Sequence, residues 1–336
     1  VRYLITGHTG FKGAWLAAIL KEQGHALVGI SLPPLDKSLY KEAALADLFD
    51  HEYFIDIRNR AEFTKAIKES HADVAFHLAA QPLVRESYKF PIETFETNVI
   101  GTLNFLEGIK NSDISAAVVI TTDKVYKNKN LTRGYVEDDE LGGHDPYSSS
   151  KAAADLATQS WVSSYEIQNV SIARAGNVIG GGDWGIDRLM PDLVRAFNSS
   201  SKAEVRYPNA VRPWQHVADC LNGYIALSTK MLDDQVGGEW NFGPEIDIEN
   251  TVAKVASLAA TSWGGDAGWG VGSEPQPHEA GYLLLDSTKA RTNLGWTDKL
   301  GFTDAIKWSV AFYKDVESGK SPRRVLEDQV RGFLSL

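Results

Sequence analysis

Cysteine is nearly absent from this chain: Cys220 stands alone among 336 residues. An intrachain disulfide is therefore impossible, which fits a reducing compartment and leaves stability to a buried apolar core. Long apolar runs are also missing, and none approaches the ~20 residues that a membrane span needs. Basic clusters are missing as well. Asp and Glu outnumber Lys and Arg by 44 to 34, a formal net charge of −10 that no local patch offsets. That balance argues against a nucleic-acid binder. The eight histidines lack metal-ligand spacing, so no metal is expected. The opening residues read as a strand, with no basic segment leading into a hydrophobic one, so the expectation is a cytoplasmic protein without a secretory signal.

What the chain does have is strand and helix in alternation. Arg2–Thr6, Ala26–Ser31, Tyr53–Ile55, Val74–His77, Ala116–Thr121 and Val170–Ala173 read as strands. Between them Lys12–Gln23, Leu39–Leu48, Ala61–Ser70, Pro91–Lys110 and Tyr147–Tyr165 read as helices. This rhythm predicts an α/β fold, a Rossmann-type doubly wound parallel sheet with right-handed crossovers. It breaks after about Asn177, where helices near Leu189–Asn198 and Val217–Met231 mix with short strands and the Gly- and Pro-rich stretch Trp263–Pro277. Residues 1–176 are expected to form a nucleotide-binding domain, and residues 177–336 mainly a smaller C-terminal substrate-binding lobe.

The segment LITGHTGFKGAWL places Gly7, Gly10 and Gly13 between the first strand and the first helix. Glycines there permit a tight turn and close approach of a pyrophosphate, which the free N–H groups of the helix then hold. The spacing is one residue wider than the common dehydrogenase fingerprint. An acid that would hold the adenosine ribose is missing at the end of the second strand, where Ser31 stands and no carboxylate follows before Asp36. That leaves NAD and NADP both open. Asp56 in FIDIR has two readings, a contact to the adenine ring or a cap on the next helix.

Two further stretches carry chemistry. DPYSSSKAAADLA sets Tyr147 and Lys151 four apart at the head of a helix, hence on one face. A tyrosine of ordinary pKa, about 10, is a poor base at neutral pH, and a neighbouring ammonium would lower it. VVITTDKVYKN puts Thr122, Asp123 and Lys124 where a buried strand surfaces, an acid directly beside a potential base. A surface Asp–Lys pair would need no comment; one buried under a ligand would have both groups shifted toward neutrality.

The glycine loop, Tyr147-x-x-x-Lys151 and strand-end Thr122 together resemble the extended short-chain dehydrogenase/reductase superfamily of nucleotide-sugar enzymes, over nearly the whole chain. Within it TGHTGFKGAWL, HLAAQPLVRESY, TTDKVYKN, RAGNVIGGGDW, RPWQHV and PHEAGYLLLD resemble the branch of CDP-hexose 4,6-dehydratases. The resemblance implies NAD, contacted by Gly7, Thr9, Gly10, Phe11 and Gly13 in the loop and by Asp56 and Ile57 after the third strand. It adds Leu78, Ala79 and Ala80 after the fourth strand, and Tyr147 and Lys151. It implies that Tyr147 takes the sugar 4-hydroxyl proton, with Thr122 at the 4-oxygen, Asp123 as acid and Lys124 as base in the loss of water. Gln81, Arg85, Asn177, Arg188, Arg212 and His278, with Glu279, are its implied substrate contacts, and a homodimer or dimer of dimers its implied assembly. Trp184, Trp214, Trp240 and Trp296 are expected in the core. Two other readings stand beside this one: another nucleotide-sugar dehydratase or 4-epimerase, and a catalytically silent NAD-binding regulator.

Overall fold

The computed structural model describes residues 1–234, 236–272 and 280–336. Its first half builds β1 (Arg2–Thr6), α1 (Phe11–Glu22), β2 (Ala26–Ser31), α2 (Leu39–Glu42), β3 (His51–Phe54), α3 (Arg60–Glu69) and β4 (Val74–His77). Then come α4 (Val84–Lys89), α5 (Pro91–Phe95), α6 (Gly101–Lys110), β5 (Ala116–Ile120), α7 (Pro146–Tyr165) and β6 (Val170–Ala175). The second half adds β7 (Val178–Ile179), α8 (Leu189–Asn198), β8 (Lys202–Val205), β9 (Gln215–His216), α9 (Val217–Asp234) and β10 (Gly238–Phe242). It closes with α10 (Val252–Trp263), β11 (Gly268–Val271), α11 (Thr288–Leu294), α12 (Phe302–Glu317) and α13 (Pro322–Leu334).

Seven strands form one sheet in the order β10-β6-β5-β4-β1-β2-β3, every neighbouring pair parallel. Strand order reverses between β1 and β4, which opens a crevice at their carboxyl ends, the place where such sheets bind ligands. Central strands are apolar on both faces because helices cover both. Leu4, Ala75 and Val119 pack with Phe63 and Phe105 on one side, whereas Ile5, Phe76 and Val118 pack with Trp15 and Tyr224 on the other. The second half is not confined to one side of the cleft: β10 extends the sheet beside β6, and α13 packs on α1. Beyond the sheet, β7 pairs with β9 and β8 with β11.

Two predicted helices are interrupted. The Leu39–Leu48 helix breaks at Ala44, whose φ of +49° is left-handed, and resumes as a single 3₁₀ turn over Leu45–Leu48. Pro91–Lys110 carries a π-helical turn at Glu96–Ile100. That widened turn brings Asn98 inward. Its side chain accepts from Gln81 N at 2.8 Å and donates to Gln81 O at 3.1 Å and Ser150 Oγ at 2.9 Å. The helix thus ties the loop after β4 to α7, at the crevice, a common place for such turns.

Candidate active site

The crevice widens into a cavity of about 1470 Å³. Pockets for one small ligand run to ~1,000 Å³, so this one has room for a dinucleotide and a second nucleotide together. Its floor is the glycine loop. Gly7 has φ +74°, and a Cβ on it would meet Ala79 N at 2.8 Å; a Cβ on Gly13 would meet Gly7 O at 2.3 Å. No side chain caps the N-terminus of α1 at Gly10, which leaves its first N–H groups open to an anion at the cavity wall. These residues fit a dinucleotide pyrophosphate. Thr9, Phe11, Asp56, Ile57, Leu78, Ala79 and Ala80 line the same cavity.

At the adenosine end, Ser31 shares a hydrogen bond with Thr9 Oγ1 at 2.7 Å. Asp36 does not replace the missing ribose acid: it is fully exposed and pairs with Lys41 at 2.7 Å. Asp56 faces the cavity and binds Arg58, accepting from its backbone N at 2.9 Å, while Asn59 caps α3. Of the two readings of Asp56, the helix cap is therefore not realised.

At the opposite end β5 delivers Thr122, Asp123 and Lys124 to the cavity wall, and α7 delivers Tyr147 and Lys151. Asp145 starts α7 by accepting from Ser148 N at 2.9 Å, with Pro146 in the first turn, so Tyr147 sits at the helix head. Thr122 Oγ1 donates to Asp123 Oδ1 at 2.9 Å, while Asp123 Oδ2 is buried with no hydrogen-bond partner among the described residues. Burial pushes the Asp123 carboxyl up, and Lys124 and the Thr122 hydrogen bond oppose that only in part. Lys124 is half-buried on the cavity wall.

The expected effect of Lys151 on Tyr147 is not what the structure shows. Lys151 is 5% exposed and its Nζ donates to Ile120 O at 2.7 Å, tying the ammonium to the end of β5. Burial lowers Lys151 to about 8. The Tyr147 phenol is pushed up to about 12 by burial; contact with the Thr122 hydroxyl pulls it down, and the Asp123 charge pushes it up.

The far wall comes from the second half. Asn177, Arg188 and Arg212 face the cavity, as does Arg85 from α4. Arg188 Nη1 reaches both Asp183 oxygens at 3.0 Å. Arg212 is 3% exposed and donates to Val211 O and Ala280 O at 2.8 and 2.7 Å. Gln81 follows Ala80 at the edge of the cavity, where its side chain is engaged with Leu83 and Thr94. His278 and Glu279 fall outside the described residues. Trp214, Trp240 and Trp296 are buried as expected, but Trp184 is half-buried on the wall, where its Nε1 donates to Glu42 Oε2 at 2.7 Å. Sequence reading missed Lys12, Asp187 and Arg206, all on the wall. Lys12 carried a signal, a cation in the first turn of a helix, while Asp187 and Arg206 sit in loops without one.

Residues 3–243 match the Epimerase profile, described as the NAD dependent epimerase/dehydratase family. The chain belongs to that family. Its cofactor is NAD, which resolves the choice that the end of β2 left open. Among family relatives it is 41% identical to a CDP-glucose 4,6-dehydratase of Salmonella typhimurium, over 97% of this chain and 95% of that protein. A dTDP-glucose 4,6-dehydratase of Streptomyces niveus is 26% identical over 94% of this chain and 93% of its own. Two solved structures share the fold. One is the UDP-glucose-4-epimerase of Stenotrophomonas maltophila, with TM-score 0.85 and 19% identity over 95% of this chain and 99% of its own. The other is the dTDP-glucose 4,6-dehydratase of Bacillus anthracis, with TM-score 0.80 and 23% identity over 96% and 99%. Among the described residues no helix is long and apolar enough to cross a membrane.

Proposed function

We propose that this protein is a CDP-glucose 4,6-dehydratase, a hydro-lyase that converts CDP-glucose to CDP-4-keto-6-deoxyglucose. One observation carries the reading: Thr122, Asp123 and Lys124 stand at the end of β5 on the same cavity wall as Tyr147 and Lys151. The 41% likeness to a dehydratase of that name supports the choice of nucleotide. Residues 1–176 supply the cofactor side and residues 177–336 chiefly the substrate side, with β10 and the last helices returning to the sheet.

NAD, once bound, would supply the hydride acceptor for C4 and the hydride donor for C6 of the sugar. Everything else falls to side chains of the chain. Tyr147 takes the proton of the 4-hydroxyl, a role that needs its phenol brought down from about 12, as the cationic nicotinamide of bound NAD would do beside it; the Thr122 hydroxyl, within reach of the phenol, steers the sugar oxygen. Oxidation at C4 acidifies the C5 proton, which Lys124 removes. Asp123 gives a proton to the departing 6-hydroxyl; its burial favours the neutral acid, and its Oδ2, unpartnered among the described residues, can carry that proton. Lys151 would hold the nicotinamide ribose. Asn177, Arg188 and Arg212 take the CDP diphosphate and ribose, and Arg85 flanks the sugar. A 4-epimerase has no use for an acid–base pair at the end of β5, and a silent NAD-binding regulator has no use for either set.

A second copy of the chain is the partner assigned to the apolar side chains exposed on α5 to α7, namely Ile92, Phe95, Ile100 and Leu156. Incubation with CDP-, dTDP- and UDP-glucose, watched for the 4-keto product, tests the activity. CDP-glucose should be turned over at least ~10-fold more efficiently, because one lost base-edge hydrogen bond costs about 1–3 kcal/mol. Equal kcat/KM across the three would refute the CDP assignment.

A further inference from the structure

Lys12 stands where helices disfavour a cation, in the first turn of α1 beside the glycine loop. Everything after it, from Gly13 to Leu20, is apolar or glycine and buried. Its Nζ donates to Tyr224 OH at 3.2 Å and lies 5.6 Å from the centre of that ring, which is fully buried on α9. Three other cations of the wall are neutralised, Arg58 by Asp56, Arg188 by Asp183 and Arg206 by Asp187. Lys12 makes no ion pair among the described residues. It lines the cavity, and it reaches away from β2 to Tyr224 on α9, the helix that packs on β5, whose end leads into Thr122 and Asp123; this places it toward the reacting end.

We propose that Lys12 is a cofactor-tuning residue, whose uncompensated charge at the nicotinamide end of the cavity favours reduced over oxidised NAD. The proposal rests on the reading that puts the nicotinamide against Tyr147 and Lys151. The two forms of the cofactor share one pyrophosphate and differ in the ring, which is cationic when oxidised and neutral when reduced. A lysine on the pyrophosphate would therefore strengthen both forms alike. A lysine near the ring repels only the oxidised form. Such a bias eases oxidation of the sugar alcohol, the step that opens the cycle.

The test is a binding measurement. Wild type, Lys12→Met, Lys12→Gln and Lys12→Arg are each titrated with NAD⁺ and with NADH, and the ratio of the two dissociation constants is compared. One charge at roughly 10 Å, at the effective dielectric of a partly buried site, predicts a change of about tenfold. For a two-electron couple that corresponds to about 30 mV in the potential of the bound cofactor. The preference for NADH should fall about tenfold in Lys12→Met and Lys12→Gln and be kept in Lys12→Arg; Lys12→Gln retains a donor for Tyr224, so it answers if Lys12→Met does not fold. Both constants moving by one factor, or a ratio that stays put in the neutral variants, would overturn the proposal. Failure of the dehydratase reading is seen in a different assay, the yield of 4-keto sugar from CDP-glucose, so the two failures are separable.

Discussion

Thr122 Oγ1 donates to one oxygen of Asp123 at 2.9 Å and leaves the other buried, with no hydrogen-bond partner among the described residues. A buried carboxyl held on one side only is suited to store a proton and pass it to whatever enters the cavity. Asp123→Asn keeps the shape and the hydrogen bond but has no proton to give. Loss of water should slow by about 10²–10⁴-fold, the usual worth of general acid catalysis. Oxidation at C4 should survive, so near-ultraviolet absorbance of reduced nicotinamide should build up on the enzyme. Dehydration at the wild-type rate would remove Asp123 from the mechanism.

Lys124→Met should also stall after oxidation, for a different reason. In heavy water, Asp123→Asn should still exchange the C5 proton of the bound ketone, because Lys124 remains. Lys124→Met should not exchange it. Exchange in both variants would mean that another group is the base.

Tyr147→Phe removes only the phenolic oxygen. No oxidation should occur and no absorbance should develop, with NAD affinity within about threefold of wild type since no charge is lost. Comparable turnover would sink the assigned role.

Lys151 titrates near 8 because burial disfavours its ammonium. A lysine lowered in this way is charged below about 8 and neutral above it. If the ammonium grips the nicotinamide ribose, NAD affinity of the free enzyme should hold from pH 6 to 7.5 and decline as pH rises through about 8. Lys151→Met should abolish that decline. A wild-type affinity that stays flat across the range would contradict the assignment.

Behind the site, Asp155 and Arg174 form a buried pair at 2.8 Å, and Asp155 also accepts from Thr121 Oγ1 at 3.0 Å. Arg174→Met strands a buried carboxylate and should cost about 3–5 kcal/mol in denaturant unfolding. Lys320→Ala, which breaks the exposed pair with Asp315, should cost at most about 1 kcal/mol. Equal losses in the two variants would show that Asp155–Arg174 is not sealed from water.

The strands that build the crevice were legible because buried parallel strands are short apolar runs, as in AAVVI at Ala116–Ile120. The glycine loop and the Tyr147/Lys151 spacing were legible because each is a local pattern. Features set by tertiary contact were not. The π-helical turn at Glu96–Ile100 is fixed by what Asn98 meets on Gln81 and Ser150, far along the chain. Trp184 sits at the wall rather than in the core because Glu42, 142 residues away, accepts its indole N–H. Lys151 binds the Ile120 carbonyl, and no periodicity shows that a lysine one turn beyond a tyrosine will reach back to a neighbouring strand.

The reading as a whole turns on one closed cycle in which the same hydrogen leaves C4 and arrives at C6 of one sugar. CDP-glucose carrying deuterium at C4, incubated with the enzyme and no added NAD, measures this directly by mass spectrometry and proton NMR of the product. The prediction is deuterium at C6, with solvent hydrogen at C5 because a side chain removed the original proton there. Deuterium retained at C4, or lost to solvent, would contradict it.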